Sequence, residues 1–176
     1  YGEPEPPKYQ FFLELQAVKE TVASLDGMTI RDGDTTQVFE KKFGVIEPAE
    51  GSPEGTPPSA DRNTWEWLSG GSVDTELAKT KIDGVMNSVA SIRANDVAAP
   101  VSPPLPEYGL DSPSRSVTLK RQDGSELVLE FGDTREAEGG VTAGTYMKAS
   151  DNPSIWVVTS YTIKNIFKTR DELKAE

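Results

Sequence analysis

Proline placement limits what this chain can build more than any other feature. Twelve of its 13 prolines fall in three stretches, Pro4 to Pro7, Pro48 to Pro58 and Pro100 to Pro113. Proline has no amide proton to donate and restricts the residue before it, so such clusters interrupt helices and sheet ladders. Regular structure must therefore lie between them. This divides the chain into an N-terminal extension (1–20), a first half (21–96) holding a Pro-rich loop (47–60), a Pro-rich connector (97–113) and a second half (114–176). The loop from Glu47 to Ala60 combines Pro, Gly, Ser and Glu and reads as a mobile surface segment.

In the first half, Met28-Thr29-Ile30-Arg31 leads into the turn signal Asp32-Gly33-Asp34, and Gln37 to Lys41 then alternates as a half-buried strand does. Phe11 to Lys19 fits either a strand or a short helix. Thr64-Trp65-Glu66-Trp67-Leu68 reads as an aromatic strand. Asp74 is a suitable N-cap for a following helix, on which Leu77, Ile82, Val85, Met86, Val89 and Ile92 fall mostly on one face. That helix is expected to end near Asn95, and Gly84 within it to mark a close packing contact. The second half repeats the order. Strands are expected at Ser116–Lys120 and Glu126–Phe131 around an Asp123-Gly124 turn, then at Thr145–Lys148 and Ile155–Val158. Ser160 is expected to cap a closing helix whose Ile163, Ile166, Phe167 and Leu173 face inward. The fold class this predicts is α+β, with two similar halves. Each would be an antiparallel sheet or hairpin followed by a helix on one face, and the shared order suggests an internal duplication.

Composition narrows the chemistry. The chain has no cysteine and no histidine. Disulfides, thiolate nucleophiles, Ser–His triads and His- or Cys-ligated transition metals cannot be built from it alone. No cofactor or metal site is expected. The net charge of −11 repels a phosphate backbone, and no basic cluster exceeds Lys41-Lys42 or Lys120-Arg121, so nucleic acid and direct contact with anionic lipid are both disfavoured. No apolar run approaches the roughly 20 residues that span a bilayer. The chain opens Tyr1-Gly2-Glu3-Pro4 without an initiating methionine and reads as a fragment.

The second half also carries a signature. Tyr108-Gly109-Leu110-Asp111-Ser112-Pro113 precedes a Val-Thr-Leu strand, an Asp-Gly turn and Leu129-Glu130-Phe131-Gly132. Thr145-Tyr146-Met147 and Ile155-Trp156-Val157-Val158 follow before the last helix. With the upstream tryptophan strand and the Asp74 helix, this order resembles the bacterial domain-of-unknown-function family numbered 4340, over roughly residues 22 to 175 without the insertion at 47–60. The resemblance implies an envelope protein held outside the cytoplasm by an N-terminal membrane anchor absent from this fragment. It also implies association with transporter components related to gliding-motility systems. No catalytic residues are established for that family, so it supplies none here.

Several residues are candidates for chemistry or recognition. Trp65 and Trp67 stand two apart on a strand and face one side, where they would serve as a stacking platform for sugar or peptide, or as packing beneath the helix. Tyr108 and Asp111 would be presented to a partner by their motif. Alternatively Gly109 makes a tight turn there and Asp111 bonds nearby amides. Asp32 and Asp34 lack the further carboxylates of a calcium loop and read as a hairpin turn. Asp133, Glu136 and Glu138 surround Arg135 in a Gly-rich loop. Two such acids can hydrolyse a glycosidic bond without histidine, although no spacing singles out a pair. The functional expectation is a non-enzymatic module binding an envelope or transporter-associated protein, against a tryptophan-based carbohydrate-binding module or a carboxylate hydrolase.

Overall fold

The computed structural model describes residues 15–99, 105–139 and 143–176. The order is β1 (Leu25–Asp32), β2 (Thr35–Ile46), β3 (Ser59–Ser69), β4 (Ser72–Val73), α1 (Lys79–Ala90), β5 (Asp96–Ala99), β6 (Arg115–Arg121), β7 (Glu126–Arg135), β8 (Gly144–Ala149), β9 (Asn152–Val158) and α2 (Ser160–Ile166). These nine strands form one sheet, ordered β4-β3-β2-β1-β6-β7-β8-β9-β5, with every neighbouring pair antiparallel.

This corrects the expectation of two separate sheet-and-helix halves. The strands predicted within each half are present, but β1 and β6 pair with each other from Leu25↔Arg121 to Asp32↔Arg115. Apart, each half would leave a long inner strand with a row of unpaired backbone groups. Joining them satisfies both rows and removes two exposed edges. The two helices also do not serve separate sheets. α1 and α2 contact each other over one face of the common sheet, and a single cluster runs from Met28, Ile30 and Phe39 through Val117, Leu119, Leu129 and Met147 to Val85, Met86, Val89 and Ile166.

Period-two alternation and helical spacing generate this layer. In β7, Leu127, Leu129 and Phe131 turn inward while Val128 and Glu130 turn outward. In α1, Ile82, Val85, Met86 and Val89 make the buried stripe. Its boundaries differ from those expected. Asp74 does not cap it; the residue before its first turn is Ala78, without a side-chain cap, and the helix stops at Ala90 rather than near Asn95. Asp74 instead accepts from the Glu76 amide and from the Arg170 guanidinium, whose donation holds its carboxyl below the usual aspartate range. Beyond Ala90, the chain pairs with residues 15–20, through Ala17 N–H to the Ile92 carbonyl and Ala94 N–H to the Leu15 carbonyl. Gly84 makes no close contact: a Cβ there would meet open space. Thr159, not Ser160, caps α2 by accepting from the Thr162 amide. Of the Phe11–Lys19 segment, Phe11 to Glu14 lie outside the described residues. Leu15–Lys19 form neither a strand nor a helix; besides the backbone bonds just given, they hold an isolated bridge between Gln16 and Arg93.

Candidate functional site

The candidate residues fall into two places on opposite faces of the sheet. Trp65 and Trp67 do face one side, as their spacing on β3 requires, and it is the helix-covered side. Trp67 is 6 % exposed and Trp65 half-buried. Both indole N–H groups donate to the same oxygen, Asp83 Oδ1 of α1, at 3.1 Å from Trp65 and 2.7 Å from Trp67. Lys79, one helical turn earlier, donates to Asp83 Oδ2 at 2.7 Å and lies over the Trp65 ring at 4.1 Å. The first turn of α1 is thereby fastened to the aromatic strand. The rings are turned under the helix and do not form an open platform.

Between these rings sits Lys41 of β2, a residue that sequence reasoning passed over. The register Lys41↔Trp67 and Phe43↔Trp65 puts all four side chains on the inner face. Lys41 Nζ lies 4.2 Å from the Trp65 ring centre, 5.8 Å from Trp67 and 5.9 Å from Phe43, and donates to the Val22 carbonyl. The residue is only 8 % exposed. Burial, reinforced by the nearby Arg62 charge, brings its pKa from 10.5 down to about 8, against the opposing pull of Asp26 and Asp83. The aromatic faces also favour the ammonium and restrain that fall. Arg62 covers Phe43 from outside at 4.5 Å and pairs with Asp26. The alternation Gln37-Val38-Phe39-Glu40-Lys41 was the available signal, since it sets Lys41 on the side of buried Phe39.

Tyr108 and Asp111 lie on the other face, at the far end of the sheet. Residues 105–108 form a 3-10 turn that covers β8 and β9, with Leu110 buried beside Ile155, and Tyr108 edge-on to Tyr146 at 4.8 Å. Gly109 has φ +68°, and a Cβ there would overlap Asp133. A Cβ on Gly132 would overlap the Tyr108 carbonyl. The two glycines let the Tyr-Gly-Leu-Asp segment press onto the Phe131-Gly132 stretch of β7. Asp111 is exposed. Of the acidic loop, Asp133 packs against Gly109, and Arg135 binds Asp96 at 2.8 Å. Among the described residues, no group of three or more Asp or Glu side chains is placed to hold a metal.

Two further surfaces are open. Opposite the helices, the 105–110 segment shields β8, β9 and the Phe131-Gly132 stretch of β7, and the core clusters place no other described segment on the face from β2 to the start of β7. Val38, Thr29, Thr118 and Val128 form a row across it, in register over four strands. Thr29, Thr118 and Val128 are half-buried and Val38 is 37 % exposed. Glu40, Lys42, Glu66 and Lys120 stand on the surrounding outward positions. Separately, a cleft of about 650 Å³ opens where β2 runs past the end of β3, with residues 167–171 as its far wall.

The family model described as domain of unknown function (DUF4340) matches residues 67–175, more than half of the chain. The chain belongs to this family. The matched stretch starts at Trp67 and carries α1, the Tyr108–Pro113 motif, β6 to β9 and α2; residues 22–66, most of which the resemblance also took in, lie outside it. No curated protein and no solved structure matches the chain. No helix among the described residues of this DUF4340 member is long and apolar enough to cross a membrane.

Proposed function

We propose that this DUF4340 chain is a non-enzymatic protein-binding module that works outside the cytoplasm in a membrane-associated, transporter-linked assembly. The observation that carries the binding role is the uncovered sheet face. Among the described residues both α-helices lie on one side of the nine-stranded sheet, and the other side presents a β-branched row ringed by charges of both signs. Such a composition suits a non-obligate protein interface, whose rim is polar and whose centre is depleted of charge. A folded envelope protein with a complementary flat surface is the partner proposed. The extracytoplasmic setting rests on the family resemblance. The tryptophans support this reading over a sugar platform, because their N–H groups are already used by Asp83.

Photo-crosslinking in cells that produce the protein tests it. A benzophenone amino acid at position 29, 118 or 128 is expected to trap one discrete envelope protein. The same group at Tyr161, on the helical side and 74 % exposed, is expected to trap none. Adducts that are absent from all three sheet positions, or equal at Tyr161, would remove the proposal.

A further inference from the structure

The cleft beside β2 exposes a stretch of backbone that lacks a neighbouring strand. β2 pairs with β1 from Thr35 to Glu40, but with β3 only from Phe39 onward, where Phe39 faces Ser69. Gly70 N–H then donates to the Val38 carbonyl at 3.1 Å, and the chain reverses through Gly70-Gly71 into β4, which pairs back onto Leu68 and Ser69. No described strand continues along the line of β3. In an antiparallel ladder the backbone groups of alternate residues point to the same neighbour. Since Val38 points its carbonyl to the β3 side, Thr36 points both its N–H and its C=O there, into the cleft. Opposite stands the segment after α2, held at its base by Gln37 Nε2 donating to the Lys168 carbonyl at 2.8 Å. Ile30 and Phe167 supply apolar lining, and Ser69 and Thr169 supply hydroxyls.

We propose that this cleft is a strand-addition site, taking an extended stretch of a basic partner polypeptide along the open edge of β2. The inference rests on the binding-module reading and deepens it by naming a second contact and its chemistry. At about 3.3 Å per residue, the exposed edge from Thr35 to Val38 accepts about three or four residues. Backbone pairing supplies the recognition, because three of the four lining charges are engaged within the chain, Asp32 with Arg115, Arg170 with Asp74 and Glu76, and Asp171 with Lys174; Lys168, half-buried, is the fourth. Selection for a basic segment comes from the whole molecule, whose net charge of −11 steers cationic chains toward it. The cleft volume lies within the range of ordinary ligand sites.

The probe is a phage-displayed library of random heptapeptides, panned on the intact protein, with the enriched peptides then synthesised. Enrichment of Lys- or Arg-containing β-formers is expected, with amide chemical-shift changes at Thr35–Val38, Gly70 and Lys168–Arg170. Slowed hydrogen exchange is expected at the Thr36 amide. Affinity is expected to fall when salt rises from about 50 mM to about 500 mM. Thr36→Pro removes the outward N–H, and Thr169→Trp fills the opposite wall without touching β2. Each is expected to weaken binding at least about tenfold. Failure to enrich any peptide, or peptides that bind both variants as they bind the parent, overturns the strand-addition site. Neither result touches the sheet-face reading, because a folded partner on Thr29, Thr118 and Val128 is not represented among heptapeptides. Loss of the photo-crosslinks would overturn that reading separately.

Discussion

Replacing Lys41 by methionine should change how stability depends on pH, and the sign follows from the structure. Lys41 is pressed among Trp65, Trp67 and Phe43 with its pKa brought from 10.5 down to about 8. A base whose folded pKa lies below its unfolded value binds fewer protons folded than unfolded between those two values. Stability therefore rises with pH through that window, from about 8 to about 10.5. At neutral pH the full cost of keeping the ammonium there is present, and it is relieved as the folded-state group deprotonates. Between about pH 7 and about pH 10 the shift corresponds to about 2.5 kcal/mol. Solvent reaching the site and the attraction of the three ring faces reduce this to about 1–2 kcal/mol. Asp26, Asp83, Lys79 and Arg62 face the same ammonium, and all four are present in parent and variant alike. Methionine has similar bulk and no charge, so Lys41→Met lacks the effect. Urea unfolding of parent and variant, followed by tryptophan emission at several pH values, isolates it. The parent is expected to gain about 1–2 kcal/mol on the variant from about pH 7 to about pH 10. A difference that stays constant, or that moves against the parent, refutes the argument.

Asp83→Ala leaves two indole N–H groups without their acceptor, and a loss of about 2–4 kcal/mol is expected in urea unfolding, with red-shifted emission and increased acrylamide quenching. Gly132→Ala forces a Cβ onto the Tyr108 carbonyl and is expected to cost about 1–3 kcal/mol, with loss of the near-UV signal of the Tyr108–Tyr146 pair. Gly84→Ala meets open space on an exposed helical position, so a gain of about 0.5–1 kcal/mol is expected by thermal unfolding. Thr159→Ala removes the cap of α2 and is expected to lower stability by about 1 kcal/mol in the same assay.

Local pattern carried most of the strands. Gln37 to Lys41, Ser116 to Lys120 and Glu126 to Phe131 alternate, and Gly33 and Gly124 adopt the positive φ that their turns need. What local pattern could not carry was the pairing of β1 with β6. Nothing in Thr29-Ile30 or Val117-Thr118 encodes which distant strand completes its ladder. Two satisfactory hairpins are therefore compatible with two sheets or one. The helix start failed for a related reason. Asp74 has the chemistry of a cap, but Arg170 and the Glu76 amide take its carboxylate, and the Arg170 contact comes from the far end of the chain. β4 and β5 were missed because two residues, and four that follow closely on a helix exit, give no periodicity to read.

The site residues divide along the same line. Spacing placed Trp65 and Trp67 on one side of a strand, and the helix that follows closes over that side, so their exposure was decided by tertiary packing. Lys41 was legible in principle, because β-strand parity assigns it to the side of Phe39. The ordinary expectation that lysine seeks water masked this, and the expectation fails here because three aromatic faces and the Val22 carbonyl replace the lost hydration. The Tyr108–Pro113 motif shows the converse. Its Gly109 and the distant Gly132 act as one unit, each being needed for the other segment to approach, so the motif and the Phe-Gly pair of β7 describe a single contact. That contact shields β8, β9 and the Phe131-Gly132 stretch of β7 on the outer face, and among the described residues it leaves the row from Val38 to Val128 uncovered. Among the described residues, the docking position of residues 105–110 decides which part of this face is left to the proposed partner, and the row from Val38 to Val128 is that part.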